Sequence, residues 1–258
     1  MILVRAAAFA GVVFASAVAA SLPAAAMVGG AAPAGDGAGR AVVMLTGSHG
    51  TFCSGVALAP SLVLTAGHCV LPGADYKLIE FDAARRPALK DNLAIARHPE
   101  FDVNAVLRHR VTADVAVLAL GTPLNVAAAM LAPAGGAVAV GDRFIVAGYG
   151  VTVRGDGKSG GTVRAATLAA TGQPGSMQIR LVDPATRGER TGLGACTGDS
   201  GAPAFRDAEG TLAVIGVVSW STGPNMSDGC GGLTGVTPLS RYRGWIVEQA
   251  RKMGSLLQ

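Results

Sequence analysis

The 258 residues are half hydrophobic and only 15% charged, so the chain can bury a sizeable core and does not read as disordered. The net charge of +4 comes from dispersed arginines. With no polybasic run and no basic patch interleaved with aromatics, the composition argues against a nucleic-acid-binding chain.

The first 26 residues read as a targeting segment. Arg5 precedes an uncharged small and apolar stretch, Ala6 to Ala20; Ser21-Leu22-Pro23 breaks it, and Ala24-Ala25-Ala26 offers an A-x-A cleavage site. The stretch is short for the ~30 Å of a bilayer's hydrocarbon core, so a signal peptide is expected and a stable membrane anchor is not. An exported chain carries its four cysteines into an oxidising compartment, which points to two disulfides in one of three pairings. The cysteine and histidine spacings match no metal site, and nothing calls for a cofactor.

Residues 31–40 are a Gly/Ala/Pro surface segment. Strands are expected at 41–45, 51–58 and 62–65, the last ending in Ala66-Gly67-His68-Cys69. His68 thus stands where a strand gives way to a turn beside a cysteine. His98 precedes Pro99 and reads as structural, while His49 and His109 lie in polar loops. Asp102 sits in the loop HPEFDVN, whereas Asp114 opens the apolar run Val115 to Leu120 that would carry it inward. A buried carboxylate needs hydrogen-bond donors, and an imidazole N–H is the natural one, so Asp114 is preferred over Asp102 as its partner.

Residues 121–136 look like a connection between two halves. Strands are expected at 137–140, 143–147, 163–170, 177–182, 202–206, 211–219 and 234–238. The Gly-rich loop 152–162 holds the tripeptide Arg154-Gly155-Asp156, which such a loop produces easily by chance. Near the end, Tyr242, Trp245, Ile246 and Gln249 are spaced for one face of a helix over 240–252. Many short strands and one late helix predict an all-β barrel architecture.

The stretch 196–203, CTGDSGAP, places Ser200 in a tight glycine-flanked turn. Serine is a weak nucleophile at neutral pH and needs a base, which itself needs an orienting group. His68, Asp114 and Ser200 supply the three kinds of residue in that order.

Eight segments together resemble the trypsin/chymotrypsin-like serine endopeptidases: MVGG at 27–30, FCSG at 52–55, TAGHC at 65–69, HPEF at 98–101, DVAVL at 114–118, AGYG at 147–150, GDSGAP at 198–203 and SW at 219–220. Gly67 and Ala202 depart from the family's usual Ala and Gly. The resemblance implies two six-stranded antiparallel β-barrels, at about 27–130 and 131–240, a C-terminal helix over 241–252, and an active site between the barrels. It implies a His68–Asp114–Ser200 triad, an oxyanion hole from the N–H groups of Gly198 and Ser200, and disulfides Cys53–Cys69 and Cys196–Cys230. Ser219 would bond Asp114, and Val218 to Ser221, with Trp220 among them, would pair with the substrate backbone.

The resemblance also places Gly194 at the floor of the specificity pocket and Ser221 and Gly235 in its walls. With no carboxylate there, neutral apolar or aromatic residues before the cut are expected; a glutamyl preference is the runner-up suggested by Ser221. Removal of residues 1–26 would free Met27, whose ammonium would pair with Asp199. The expected protein is a secreted or periplasmic monomer acting on polypeptide substrates and open to protein inhibitors. A catalytically silent relative that binds a partner through the same surface is the alternative from another class.

Overall fold

The computed structural model describes residues 27–257 apart from 35, 36, 83, 85, 176 and 209. The expected signal peptide at 1–26 lies outside the described residues.

A short strand, β1 (Ala32–Pro33), precedes the first barrel. That barrel comprises β2 (Val42–Gly47), β3 (Phe52–Ala59), β4 (Leu62–Thr65), β5 (Tyr76–Phe81), β6 (Pro87–Arg97) and β7 (Ala116–Leu120). They close in the order β2-β3-β4-β7-β6-β5 with antiparallel pairing throughout. Alternate residues of a strand face opposite sides, and the packing follows that period. Val43, Leu45, Val63, Leu78 and Leu118 form one buried cluster. Val42, Met44, Leu62, Leu64 and Val117 join another, shared with the second barrel and the C-terminal helix.

Between β6 and β7 lies a one-turn helix, α1 (Val103–Leu107). After β7 come β8 (Met130–Leu131), β9 (Arg143–Gly148), β10 (Arg164–Thr171), β11 (Ile179–Val182), β12 (Pro203–Ala208), β13 (Thr211–Ser221) and β14 (Thr234–Pro238). The order β10-β11-β14-β13-β12-β9, closed by β9 pairing with β10, forms the second six-stranded antiparallel barrel. Phe144, Val146, Leu168, Ile179, Leu181 and Val236 fill its core. β1 pairs with β10, so the first described strand is stitched to the second barrel and not the first. The last element, α2 (Arg243–Lys252), buries Ile246 and Ala250 and half-buries Trp245 against the body.

The architecture is the expected all-β pair of barrels with one C-terminal helix. Two expectations of detail differ. Residues 137–140 form no strand. Conversely β1, β5, β6, β8 and α1 were not expected. β6 is solvent-exposed or half-exposed along all eleven residues and its sequence, PALKDNLAIAR, lacks the clean apolar alternation that marks a half-buried strand.

Both disulfides form, Cys53–Cys69 and Cys196–Cys230. The first joins β3 to the turn bearing His68, closing a loop for which the chain-entropy argument gives about 3 kcal/mol. No helix among the described residues is long and apolar enough to cross a membrane.

Candidate active site

β4 delivers His68 and β7 delivers Asp114, because β4 and β7 are neighbours in the first barrel and Thr65 lies opposite Ala116. The Asp114 carboxylate is completely buried. It accepts hydrogen bonds from the His68 backbone N–H at 2.9 Å, from His68 Nδ1 at 2.8 Å and from the Ser219 hydroxyl. Three donors offset the cost of removing the charge from water. A carboxylate only accepts, so Nδ1 carries the proton and Nε2 presents a lone pair. Asp102 lies elsewhere, accepting from the Asn104 N–H as the N-cap of α1.

The second barrel contributes Ser200, on the turn between Cys196 and β12. Gly198 sits at φ +95°, a conformation that glycine adopts freely. A Cβ there would also meet the Phe52 ring at 2.2 Å. Every carbonyl of this turn is engaged. The Thr197 oxygen accepts from Val151 N, that of Gly198 from Ser54 Oγ, that of Asp199 from Ala202 N and that of Ser200 from Ser54 N, at 2.8–2.9 Å. Among the described residues the N–H groups of Gly198 and Ser200 have no acceptor. Gly198 and Ser200 line, together with His68, Trp220 and Ser221, a cleft of about 410 Å³.

Asp199, beside Ser200, points the other way, into the second barrel. It is fully buried and accepts from Gly150 N and Cys196 N, both at 2.9 Å. Burial pushes its carboxyl up from 3.8 to about 7, with the two backbone N–H groups pulling down. Gly148 and Gly150 make this possible, since a Cβ on either would come within 2.4 Å of the carboxylate. Met27 is fully buried in the same core, and Val28 bridges Gly194.

Gly235, expected in a pocket wall, pairs with Trp220 and lies under that indole: a Cβ on Gly235 would meet the ring at 2.1 Å. Its neighbour Thr234, pairing with Ser221, points to the opposite side. Thr234 Oγ1 accepts from Ala195 N at 3.0 Å and stands 3.5 Å from where a Gly194 Cβ would be. A β-bulge in β13 between Val218 and Trp220 sets this register, and bulges are not legible from alternation in the sequence. Trp220 is covered on its other side by the His109 ring, stacked at 4.8 Å. His109 is therefore half-buried, not the free surface residue its polar loop suggested.

The remaining candidates fall to structural roles. His98 packs edge-on against Tyr242 and against Trp245, and burial holds its imidazole below the usual range. Asp156 of the Arg-Gly-Asp tripeptide accepts from Lys158 N in a short turn. The Phe101 ring fills the space that a Cβ at Gly67 would need, 3.0 Å away. Ala202 is fully buried beside Gly148, so its methyl group has a place. The grouping of His, Cys, Asp or Glu tight enough to hold an ion among the described residues is Cys53, His68 and Cys69, whose two sulfurs are already joined to each other.

Known proteins align with this arrangement. The chain is 28% identical over 235 residues to coagulation factor IX of Cavia porcellus, covering 79% of this chain and 74% of that one. Its fold is similar to that of the human heparin binding protein, with a TM-score of 0.65 at 24% identity over 85% of this chain and 95% of the other. The family model described as Trypsin matches residues 28–246, nearly the whole described chain. The chain belongs to the trypsin family.

Proposed function

We propose that the protein is an exported serine endopeptidase that cuts polypeptides through an acyl-enzyme formed on Ser200. The observation that carries this reading is the buried Asp114 holding His68 by both its backbone and its ring, in the cleft that also holds Ser200 and two unengaged backbone N–H groups. His68 Nε2 takes the Ser200 proton as the hydroxyl oxygen attacks the scissile carbonyl. The carbonyl oxygen becomes an oxyanion between the N–H groups of Gly198 and Ser200. His68 then gives its proton to the leaving amine, and water repeats the sequence on the acyl-enzyme. Asp114 fixes the tautomer and stabilises the imidazolium.

The residue before the cut enters the side bounded by Gly194, Ser221 and Thr234. None is charged, so a Lys or Arg side chain would be buried there without a partner. Thr234 adds a β-branched side chain where an open wall was expected. Small and medium aliphatic side chains therefore fit this pocket better than aromatic rings, which narrows the range expected from the sequence.

Activation is assigned to the start of the chain. A Met27 freed of the preceding residues would place its ammonium beside Asp199, whose carboxylate is buried with no cation among the described residues. The depth of Met27 in the second barrel and the Val28–Gly194 bridge support this pairing. Export agrees with the two disulfides, which persist in oxidising compartments. A role in binding alone, with polypeptide partners and inhibitors docking on an inert cleft, gives no physical reason for the His68–Asp114 geometry. Reaction with a serine-directed fluorophosphonate, with Ser200→Ala as control, separates the two.

A further inference from the structure

We infer that Ser54 is a positioning residue that holds the oxyanion turn in register with His68. This inference rests on the peptidase reading above. Ser54 lies on β3 of the first barrel and is fully buried. Its hydroxyl donates to the Gly198 carbonyl at 2.8 Å and accepts from the Tyr149 N–H at 2.9 Å. Its backbone N–H donates to the Ser200 carbonyl at 2.8 Å, and its own carbonyl accepts from Thr65 Oγ1 at 2.7 Å. A single residue of the first barrel thus holds two of the four carbonyls of the turn from Thr197 to Ser200.

That placement has a consequence for the two unengaged N–H groups. A peptide unit is planar, and Gly198 at φ +95° has wide rotational freedom. The Gly198 carbonyl belongs to the peptide unit between the two that carry Gly198 N and Ser200 N, so fixing that central plane limits rotation of both donors. The Ser54 hydroxyl gives the Gly198 carbonyl a buried partner on the far side. Without it, that oxygen is an unsatisfied buried acceptor, and a rotated turn becomes competitive.

Ser54 is also the chain neighbour of Cys53, which is bonded to Cys69, the neighbour of His68. A continuous path therefore runs from His68 through Cys69, Cys53 and Ser54 to the carbonyls of Gly198 and Ser200. The path crosses the junction between the barrels. It fixes the base and the oxyanion donors relative to each other although they belong to different barrels.

Ser54→Ala removes the hydroxyl and leaves the backbone bond to Ser200. Misplacement of a catalytic group by about 1 Å can cost about 100-fold in rate, and the variant is expected to lose about 10- to 100-fold in kcat with KM within about twofold. A peptide aldehyde, whose tetrahedral adduct on Ser200 needs the same two N–H groups, should lose affinity by the same factor as kcat. Tyr76→Phe removes another buried hydroxyl of the first barrel, bonded to the Leu71 carbonyl at 2.7 Å; it should lower Tm and leave kcat unchanged. If Ser54→Ala folds poorly, Ser54→Gly removes the hydroxyl together with its Cβ, and the rates are normalised to folded protein. Wild-type kcat and aldehyde affinity in both Ser54 variants would overturn the inference alone. A loss of kcat equal to that of Tyr76→Phe would do the same. Absence of peptide cleavage in the wild type would instead overturn the peptidase reading, and this inference with it.

Discussion

Asp114 grips His68 at two points, its backbone N–H and its ring Nδ1, while being itself completely buried. The backbone contact holds the turn in place, and the ring contact selects the tautomer that leaves Nε2 free to accept a proton. Asp114→Asn keeps the shape but turns one acceptor into an amide, and either the Nδ1 proton or the amide loses its partner. We expect turnover of a peptide substrate to fall about 1,000- to 10,000-fold with the fold intact. Asp102→Asn, which keeps the cap of α1, should stay within about twofold of wild type. Steady-state kinetics on both variants checks the assignment, and the reverse pattern would overturn it.

Gly198→Ala should be severely impaired. The backbone is at φ +95°, and the new methyl group would sit 2.2 Å from the Phe52 ring. The turn must shift and carry its N–H groups with it. A loss of about 100- to 1,000-fold in kcat is expected, the cost of one oxyanion donor. Near-native kcat in this variant would mean that the turn is not where the oxyanion forms.

Thr234, and not Gly235, stands beside Gly194. Profiling with a peptide library should show small and medium aliphatic residues before the cut, ahead of Phe and Tyr, with Arg and Lys poorest. Thr234→Gly should raise kcat/KM for Phe and Tyr substrates by about tenfold or more, the scale of hydrophobic-pocket discrimination. Gly194→Asp should not yield a Lys- or Arg-specific enzyme, because its Cβ would already press on Gly231 Cα at 3.1 Å. A wild-type preference for Arg would contradict this pocket.

Asp199 gives a pH signature that depends on the start of the chain. In a form that still carries residues before Met27, the folded carboxyl titrates at about 7, above its ordinary 3.8. Between these values the folded state holds a proton that the unfolded state has released, so stability falls as pH rises from about 4 to about 7. The full effect is on the order of 4 kcal/mol for a group this deeply buried. In the form that begins at Met27, the ammonium favours the carboxylate and this loss disappears. The pairing raises the amine's own pKa above about 8, so its contribution is complete below about pH 8 and is lost as pH rises through the folded value. Urea unfolding of both forms at about pH 5 and about pH 7.5 measures the difference. Identical pH dependence in the two forms would refute the Met27–Asp199 pair.

Short apolar runs bounded by glycine and polar turns made most strands legible: 62–65 and 234–238 appear with the expected limits, and β3, β9, β12 and β13 within two or three residues. β6 was not legible because it is exposed or half-exposed along its whole length, where little apolar periodicity is needed; in β5 only the start, Tyr76 to Leu78, shows buried alternation, and that is too short a run to mark a strand. In the site, His68, Asp114 and Ser200 stood out because each has a distinctive neighbourhood: a cysteine turn, an apolar strand, a glycine turn. Thr234 did not, since its role depends on a register set by the bulge before Trp220. Ser54 did not either, because a serine within a strand looks ordinary until the second barrel is folded against it. His109 was misjudged for the same reason, as its stacking partner Trp220 lies 111 residues away in the other barrel.

The central claim is that Ser200 is a nucleophile activated by His68. Its most direct measurement is the reaction of the mature protein with a fluorophosphonate, followed by mass analysis of the labelled peptide. The account predicts one phosphonyl group per chain, on Ser200, with labelling abolished in Ser200→Ala and slowed at least about 1,000-fold in His68→Ala. A mature, folded protein that stays unlabelled, or one labelled equally well without His68, would contradict it.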